Sequence, residues 1–469
     1  MRPERDKINF ILSHLVFLLS IIVIFYIPRF YPVVHENFLP PMDRVLRFYI
    51  IGVFSVSFLA YYLCVHFYKK SGISVFKPGS LSVYFWISTI AVFLVLCSSS
   101  ALLSHDLFEY SVRGRMLSIY KLNPYLHVPL EIKSDIFFPL IFWKSTPECY
   151  GPLWVAIGAV HTLFFKNSVA LTSFMHKLVL LAFLGMTSSV FYRLCKDNIS
   201  EDAGTMTLAF LLNPLVLVMT LIDGHNEIAM AFFILSAFYL LVNSKYKLSS
   251  AFLALAIAVK FVYILFIPLF ILHLLSRKEV QGFGWKVYTL IMGGAVFLFT
   301  TAVMWLPFGR ESVKAIIYYY SELSKNFWVD SIPYAVYFVS EKMGFAISKD
   351  LLANIFFALF IAAYLCILGY FLKRTKMDKQ ALFTSSALIL LALLFTNSSP
   401  FQTWYLIWVI PFILLSSIRL KFQLVFLLSY FLIMTFWKRM FVLAVPMMAV
   451  WLSMYLVDKK FHRFPLARE

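Results

Sequence analysis

Charged side chains are scarce here: Asp, Glu, Lys and Arg make up 14% of 469 residues, where a soluble domain carries about a quarter. An ordinary water-exposed surface cannot be built from that composition. Cysteine is equally sparse. Cys64, Cys97, Cys149, Cys195 and Cys366 form no CxxC pair, which argues against a disulfide framework or a zinc site. No Walker loop, GxGxxG, HExxH or GxSxG motif occurs in a suitable context, so a cytoplasmic nucleotide site is not expected. No stretch is long and polar enough for a separate soluble domain, and residues 1–469 read as one transmembrane domain.

What is present is apolar length. Hydrophobic residues make up 61% of the chain and mean hydropathy is +0.83. Runs long enough to span a bilayer, or nearly so, fall at 8–28, 47–68, 80–103, 168–192, 203–222, 228–243, 248–275, 284–306, 350–372, 381–396, 403–418, 422–436 and 440–457. They predict an all-α, polytopic membrane protein of about 13–14 helices. The first run is longer than the apolar part of a signal peptide and reads as a retained span. The run 248–275 carries Lys260 at its centre, a position costly in lipid, which suggests a short hairpin with Lys260 at its tip.

The net charge of +18 fits basic loops facing the cytoplasm better than a nucleic-acid surface. With both termini inside, the inner connectors hold clusters such as Lys69-Lys70, Lys373-Arg374-Lys376 and Lys459-Lys460-Arg463. The short outer connectors then hold only Arg29, Arg44, Arg47, Lys260, Lys438 and Arg439. This assignment makes 104–166 and 307–349 external loops and lays 151–166 along the outer surface.

Polar residues concentrate in a few places. Asp106 follows Leu102-Leu103-Ser104-His105, at a bilayer edge, and in a helix it shares a face with Glu109 and Arg113. A carboxylate so placed, near Arg113 and Arg115, suits a base for a sugar hydroxyl; an interfacial salt bridge is the plainer alternative. Asp223-Gly224-His225-Asn226-Glu227 joins two apolar runs and holds more acid and imidazole than a turn requires. Lys260, Arg310 and the pair Lys438-Arg439 are external cations able to anchor a helix or to hold a phosphate. Gln402 and Trp404 lie in a polar-aromatic stretch that suits either a membrane belt or a sugar pocket.

These residues together resemble the GT-C superfamily of membrane glycosyltransferases, particularly bacterial polyprenol-phosphate-mannose-dependent α-mannosyltransferases. The resemblance runs over about residues 80–415, through Asp106–Tyr110, Gly114-Arg115, Asn123-Pro124-Tyr125, Tyr150-Gly151-Pro152, Asn213-Pro214, Gly224–Glu227, Val259-Lys260-Phe261 and Phe401–Trp408. His105 stands where such proteins often have a second acid, and Thr403 where they often have proline. The resemblance implies an inverting hexosyl transfer, with mannose favoured, from a polyprenyl-phosphate donor to a glycan or glycolipid acceptor. Asp106 would be the catalytic base. Glu109, Arg113, Arg115, Asp223, His225, Asn226, Glu227, Lys260, Arg310, Gln402, Trp404, Lys438 and Arg439 would bind substrate. Neither metal nor other cofactor is implied. A transporter of lipid-linked sugars, or an oligosaccharide ligase or polymerase, is the alternative.

Overall fold

A computed structural model describes residues 2–30, 44–198, 202–276, 282–323, 331–345, 347–373, 379–397 and 402–436. Every regular element among them is helical, as apolar segments without access to water require. In chain order the first unit contains α1 (Arg2–Phe30), α2 (Arg44–Ser71), α3 (Ser80–Cys97), α4 (Asp106–Ser118), α5 (Pro152–Phe164), α6 (Val169–Asn198), α7 (Ala203–Leu211), α8 (Pro214–Leu217), α9 (Glu227–Val242), α10 (Tyr246–Val259), α11 (Ile267–Ser276), α12 (Phe283–Trp305) and α13 (Gly309–Leu323). The second unit is built from α14 (Ile332–Lys342), α15 (Lys349–Lys373), α16 (Lys379–Ala392), α17 (Leu406–Leu415) and α18 (Lys421–Phe436). Within it α14 packs on α15, and α17 on α18.

Among the described residues seven helices are long and apolar enough to cross a membrane, or eight if the bent pair α7–α8 forms one span. Six further apolar helices are shorter. The sequence expectation of about 13–14 spans counted every apolar run as a span and the run 248–275 as a hairpin of two. Several runs instead break. At Asn213-Pro214 the chain bends by 48°; proline lacks the amide for the ladder. Asn213 Oδ1 accepts from Leu215 N at 3.0 Å, and Tyr61 donates to the Ala209 carbonyl at 2.6 Å. The run 248–275 also breaks, at Lys260, whose backbone is extended between α10 and a 3₁₀ turn at Phe261–Phe266. No hairpin packs there: α10 lies chiefly against α9 and α12. The run 440–457 lies outside the described residues.

Two local decisions place the start of α4. Helix α3 does not continue to residue 103 but ends at Cys97, before three consecutive serines. Ser98 and Ser99 return their hydroxyls to the carbonyls of Val95 and Leu96, both at 2.7 Å, a local alternative to further helix. The chain then restarts as α4 with Asp106 in its first turn, where the helix dipole favours a carboxylate. Helix α4 rests on α5 through two glycines: a Cβ on Gly114 would lie 2.4 Å from the Gly158 carbonyl carbon. Gly151, just before α5, donates to Val259 O at 2.9 Å, and a Cβ there would meet Ala258 O at 2.1 Å. That contact pins the end of the loop 119–151 beside the break at Lys260.

Candidate active site

Residues distant in sequence meet around the Asp106 carboxylate. Its Oδ2 lies 3.4 Å from the Tyr110 hydroxyl, 3.5 Å from the Tyr150 hydroxyl and 3.5 Å from His225 Nδ1. The Asp106 side chain is 20% exposed whereas His225 is fully buried, so of these two the carboxylate is the one that a substrate can reach. It opens onto a cleft that is also lined by Tyr110, Trp143, Glu148, Cys149, Tyr150 and Tyr319.

Burial alone would push the Asp106 carboxyl up. The His225 hydrogen bond and charge, the Lys260 charge and the Ser104 hydroxyl outweigh it and hold the group below the ordinary carboxylate range. Tyr110 and Tyr150 are pushed the other way, by burial first and then by neighbouring negative charge, and remain protonated donors. Burial also pushes Cys149 up to about 12, leaving an unreactive thiol.

Beside this group stands a buried ion pair. Lys260 Nζ donates to Glu227 Oε1 at 2.7 Å, with Glu227 fully buried, and sits 5.3 Å from the centre of the Tyr150 ring. Asn226 heads α9 and is fully buried, its amide making no hydrogen bond to a described residue.

Other expected substrate ligands hold the protein's own backbone. Glu109 accepts from the amides of Phe142 and Trp143 at 2.6 and 2.7 Å and pairs with Arg113. Arg113 in turn donates to the carbonyls of Trp143 and Thr146, each at 2.9 Å. Arg115 binds Asp135 and the Lys166 carbonyl, both at 2.7 Å. Asp223, fully buried, accepts from Leu102 N at 2.6 Å and Leu103 N at 2.8 Å. Burial raises its pKa, against the opposing influence of His225, the two amides and Lys177. These side chains set the course of the chain on either side of Asp106.

Arg310 is exposed near the start of α13 and does not line the cleft. That helix start is tied to the loop, because Asn123 Nδ2 donates to Phe308 O at 3.0 Å and to Ser312 Oγ at 2.8 Å. Gln402 and Trp404 belong to the second unit, at a 3₁₀ turn held by Thr403 donating to Leu432 O at 3.1 Å. Lys438 and Arg439 lie outside the described residues. Among the described residues no three His, Cys, Asp or Glu side chains converge as a metal site needs. Sequence reading passed over Tyr110 and Tyr150 as partners of Asp106, and Glu148 altogether. The only available signal was their place inside the two motifs, Asp106–Tyr110 and Tyr150-Gly151-Pro152.

Comparison with known proteins gives two findings. Residues 13–276 match the family model described as "Alpha-(1->6)-mannopyranosyltransferase, N-terminal domain". The chain is 25% identical over 253 residues to "Alpha-(1->6)-mannopyranosyltransferase A" of Mycobacterium tuberculosis; the match covers 51% of this chain and 49% of that protein. The aligned region thus spans about half of the relative's length. No solved structure matches the chain.

Proposed function

From this chain's membership of the alpha-(1->6)-mannopyranosyltransferase family, we propose an inverting glycosyltransferase that moves a hexose, by preference mannose, from a polyprenyl-phosphate donor. The acceptor is a hydroxyl of a glycan or glycolipid on the non-cytoplasmic face. The observation that carries the reading is the Asp106 carboxylate, open to a polar-aromatic cleft and held by Tyr110, Tyr150 and His225. An acceptor hydroxyl in that cleft gives its proton to Asp106 as its oxygen bonds the anomeric carbon. The bond from that carbon to the phosphate oxygen breaks on the opposite face, and polyprenyl phosphate leaves as an anion.

Tyr110 and Tyr150 orient the base, and His225 stabilises its anionic form. Lys260 is a cation at the edge of this group, and Arg310 lies in the same unit; both are candidates to balance the departing phosphate. We assign Glu109, Arg113, Arg115 and Asp223 to holding the loop. His225 acts through Asp106, while Asn226 and Glu227 shape the floor beneath it.

The test is to incubate purified protein with radiolabelled polyprenyl-phosphate sugars and membrane lipid extract. Label entering a new product supports transfer; label crossing a bilayer unchanged points to a transporter. Asp106→Asn preserves size but cannot accept the proton, so turnover should fall about 10²–10⁴-fold with donor affinity within a few-fold. Retention of more than about a tenth of wild-type turnover, far above what loss of a general base permits, would remove Asp106 from the role of base.

A further inference from the structure

One carboxyl at the cleft is unused by this mechanism. Glu148 is 4% exposed, yet it lines the same cleft as Asp106. Its Oε1 accepts from the amides of Cys149 and Tyr150 at 2.7 and 2.8 Å, and its own amide donates to Pro124 O at 2.8 Å. Those bonds fix the side chain in place. Its other oxygen accepts no hydrogen bond from any described residue. The cation acting on it is Arg113, whose guanidinium is already bound to Glu109 and to the carbonyls of Trp143 and Thr146.

A carboxylate oxygen with no donor from the protein, on a side chain that lines a cleft, is free to accept a hydrogen bond from a ligand. The cleft also indicates what kind. Asp106, Glu109 and Glu148 line it, and its one guanidinium is already bound to protein, so the cleft itself favours a neutral ligand over an anionic one. Tyr110, Trp143, Tyr150 and Tyr319 provide aromatic surface for the apolar C–H face of a pyranose.

We propose that Glu148 binds a non-reacting hydroxyl of a neutral acceptor sugar and so sets which hydroxyl stands over Asp106. This rests on the reading of Asp106 as the transferase base. It makes Glu148 a residue for acceptor recognition, with no part in proton transfer.

The test uses the purified full chain, polyprenyl-phosphate mannose as donor, and octyl α-mannopyranoside with its monodeoxy analogues as acceptors. Glu148→Gln keeps an oxygen for the Cys149 and Tyr150 amides but places a donor where the hydroxyl must be received. Acceptor KM should rise about tenfold to a hundredfold, with donor KM and thermal midpoint unchanged. One monodeoxy analogue, lacking the hydroxyl that Glu148 holds, should show no further loss in the variant. Unchanged acceptor KM, or equal loss with every analogue, overturns the proposal. A parallel loss of donor KM and thermal midpoint reduces Glu148 to a staple of the turn and overturns it too. Should the variant not fold, the wild type answers alone: some non-reacting hydroxyl must be worth about tenfold, and a flat analogue series refutes the idea. Wild-type protein that consumes no donor overturns the transferase reading and this inference with it, whereas the other failures leave that reading intact.

Discussion

Asp223 offers the sharpest test of how the site is held. Its buried carboxylate accepts the amides of Leu102 and Leu103 at 2.6 and 2.8 Å, a few residues before Asp106. Asp223→Ala leaves both amides buried and unpaired at about 1–3 kcal/mol each, so about 2–6 kcal/mol is lost. Against a total stability of about 5–15 kcal/mol, that variant should be poorly recovered from membranes. Asp223→Asn keeps a carbonyl oxygen at the same place and loses only the charge assistance, about 1 kcal/mol per bond. Since the same bonds set where α4 begins, a displacement of about 1 Å at Asp106 should lower turnover about a hundredfold. The assay pairs thermal midpoints of detergent-purified protein with turnover at saturating donor. Midpoints should fall in the order wild type, Asn, Ala, and turnover of the Asn variant should fall more than its donor affinity. An Ala variant with wild-type midpoint and turnover would refute the reasoning and return Asp223 to the substrate ligands.

Other expectations follow from the same geometry. Asp106 is held below the ordinary carboxylate range, so it stays ionised, and active as a base, as pH falls to that lowered value and is lost only below it. His225→Gln removes the strongest influence that lowers it, and the acid limb of the pH–turnover profile should move to higher pH; an unmoved limb would detach His225 from the base. Lys260→Met strands the fully buried Glu227 and should destabilise by about 3–5 kcal/mol. The double variant with Glu227→Gln should regain most of that stability without regaining turnover; recovery of turnover would show that the cation has no part in transfer. Ser134 is exposed in the loop assigned to the outside, so a cysteine there, in a background lacking the native cysteines, should react with an impermeant thiol reagent in intact cells. Protection at that position reverses the proposed orientation.

The sequence made Asp106, the 223–227 cluster and Lys260 conspicuous because charge is rare in this chain, and these are the groups that the fold brings together. The Glu109–Arg113 pair was also legible, since it follows from helical spacing alone. The partners of the other charges were not. Arg115 meets Asp135, and Lys260 meets Glu227 33 residues before it, and nothing in one sequence marks such pairs. Arg115 therefore read as a free cation, and the loop carbonyls that bind both Arg113 and Arg115 were not foreseen. Glu148 was overlooked because an acid in a polar loop carries no local signal; only the turn that folds its oxygen onto two amides gives it a direction. Hydropathy found the apolar runs, and the lone charge of Lys260 marked a break there, but not the bend at Asn213-Pro214, where Asn213 and Tyr61 hydrogen-bond the interrupted backbone.

The clamp from Asp223 to the amides of Leu102 and Leu103 has a consequence for how the protein is made. The ribosome delivers residue 102 well before residue 223, and the tie across the Val259 carbonyl to Gly151 waits longer still. During that interval the segment around Asp106 is in place with its stabilising acceptors not yet synthesised. Chains stalled between these points should present this segment to proteases, and those extended past residue 260 should not. The site therefore cannot close before about the middle of the chain has been made, and substitutions at Asp223 or Gly151 should reveal themselves first as slow maturation of the nascent chain.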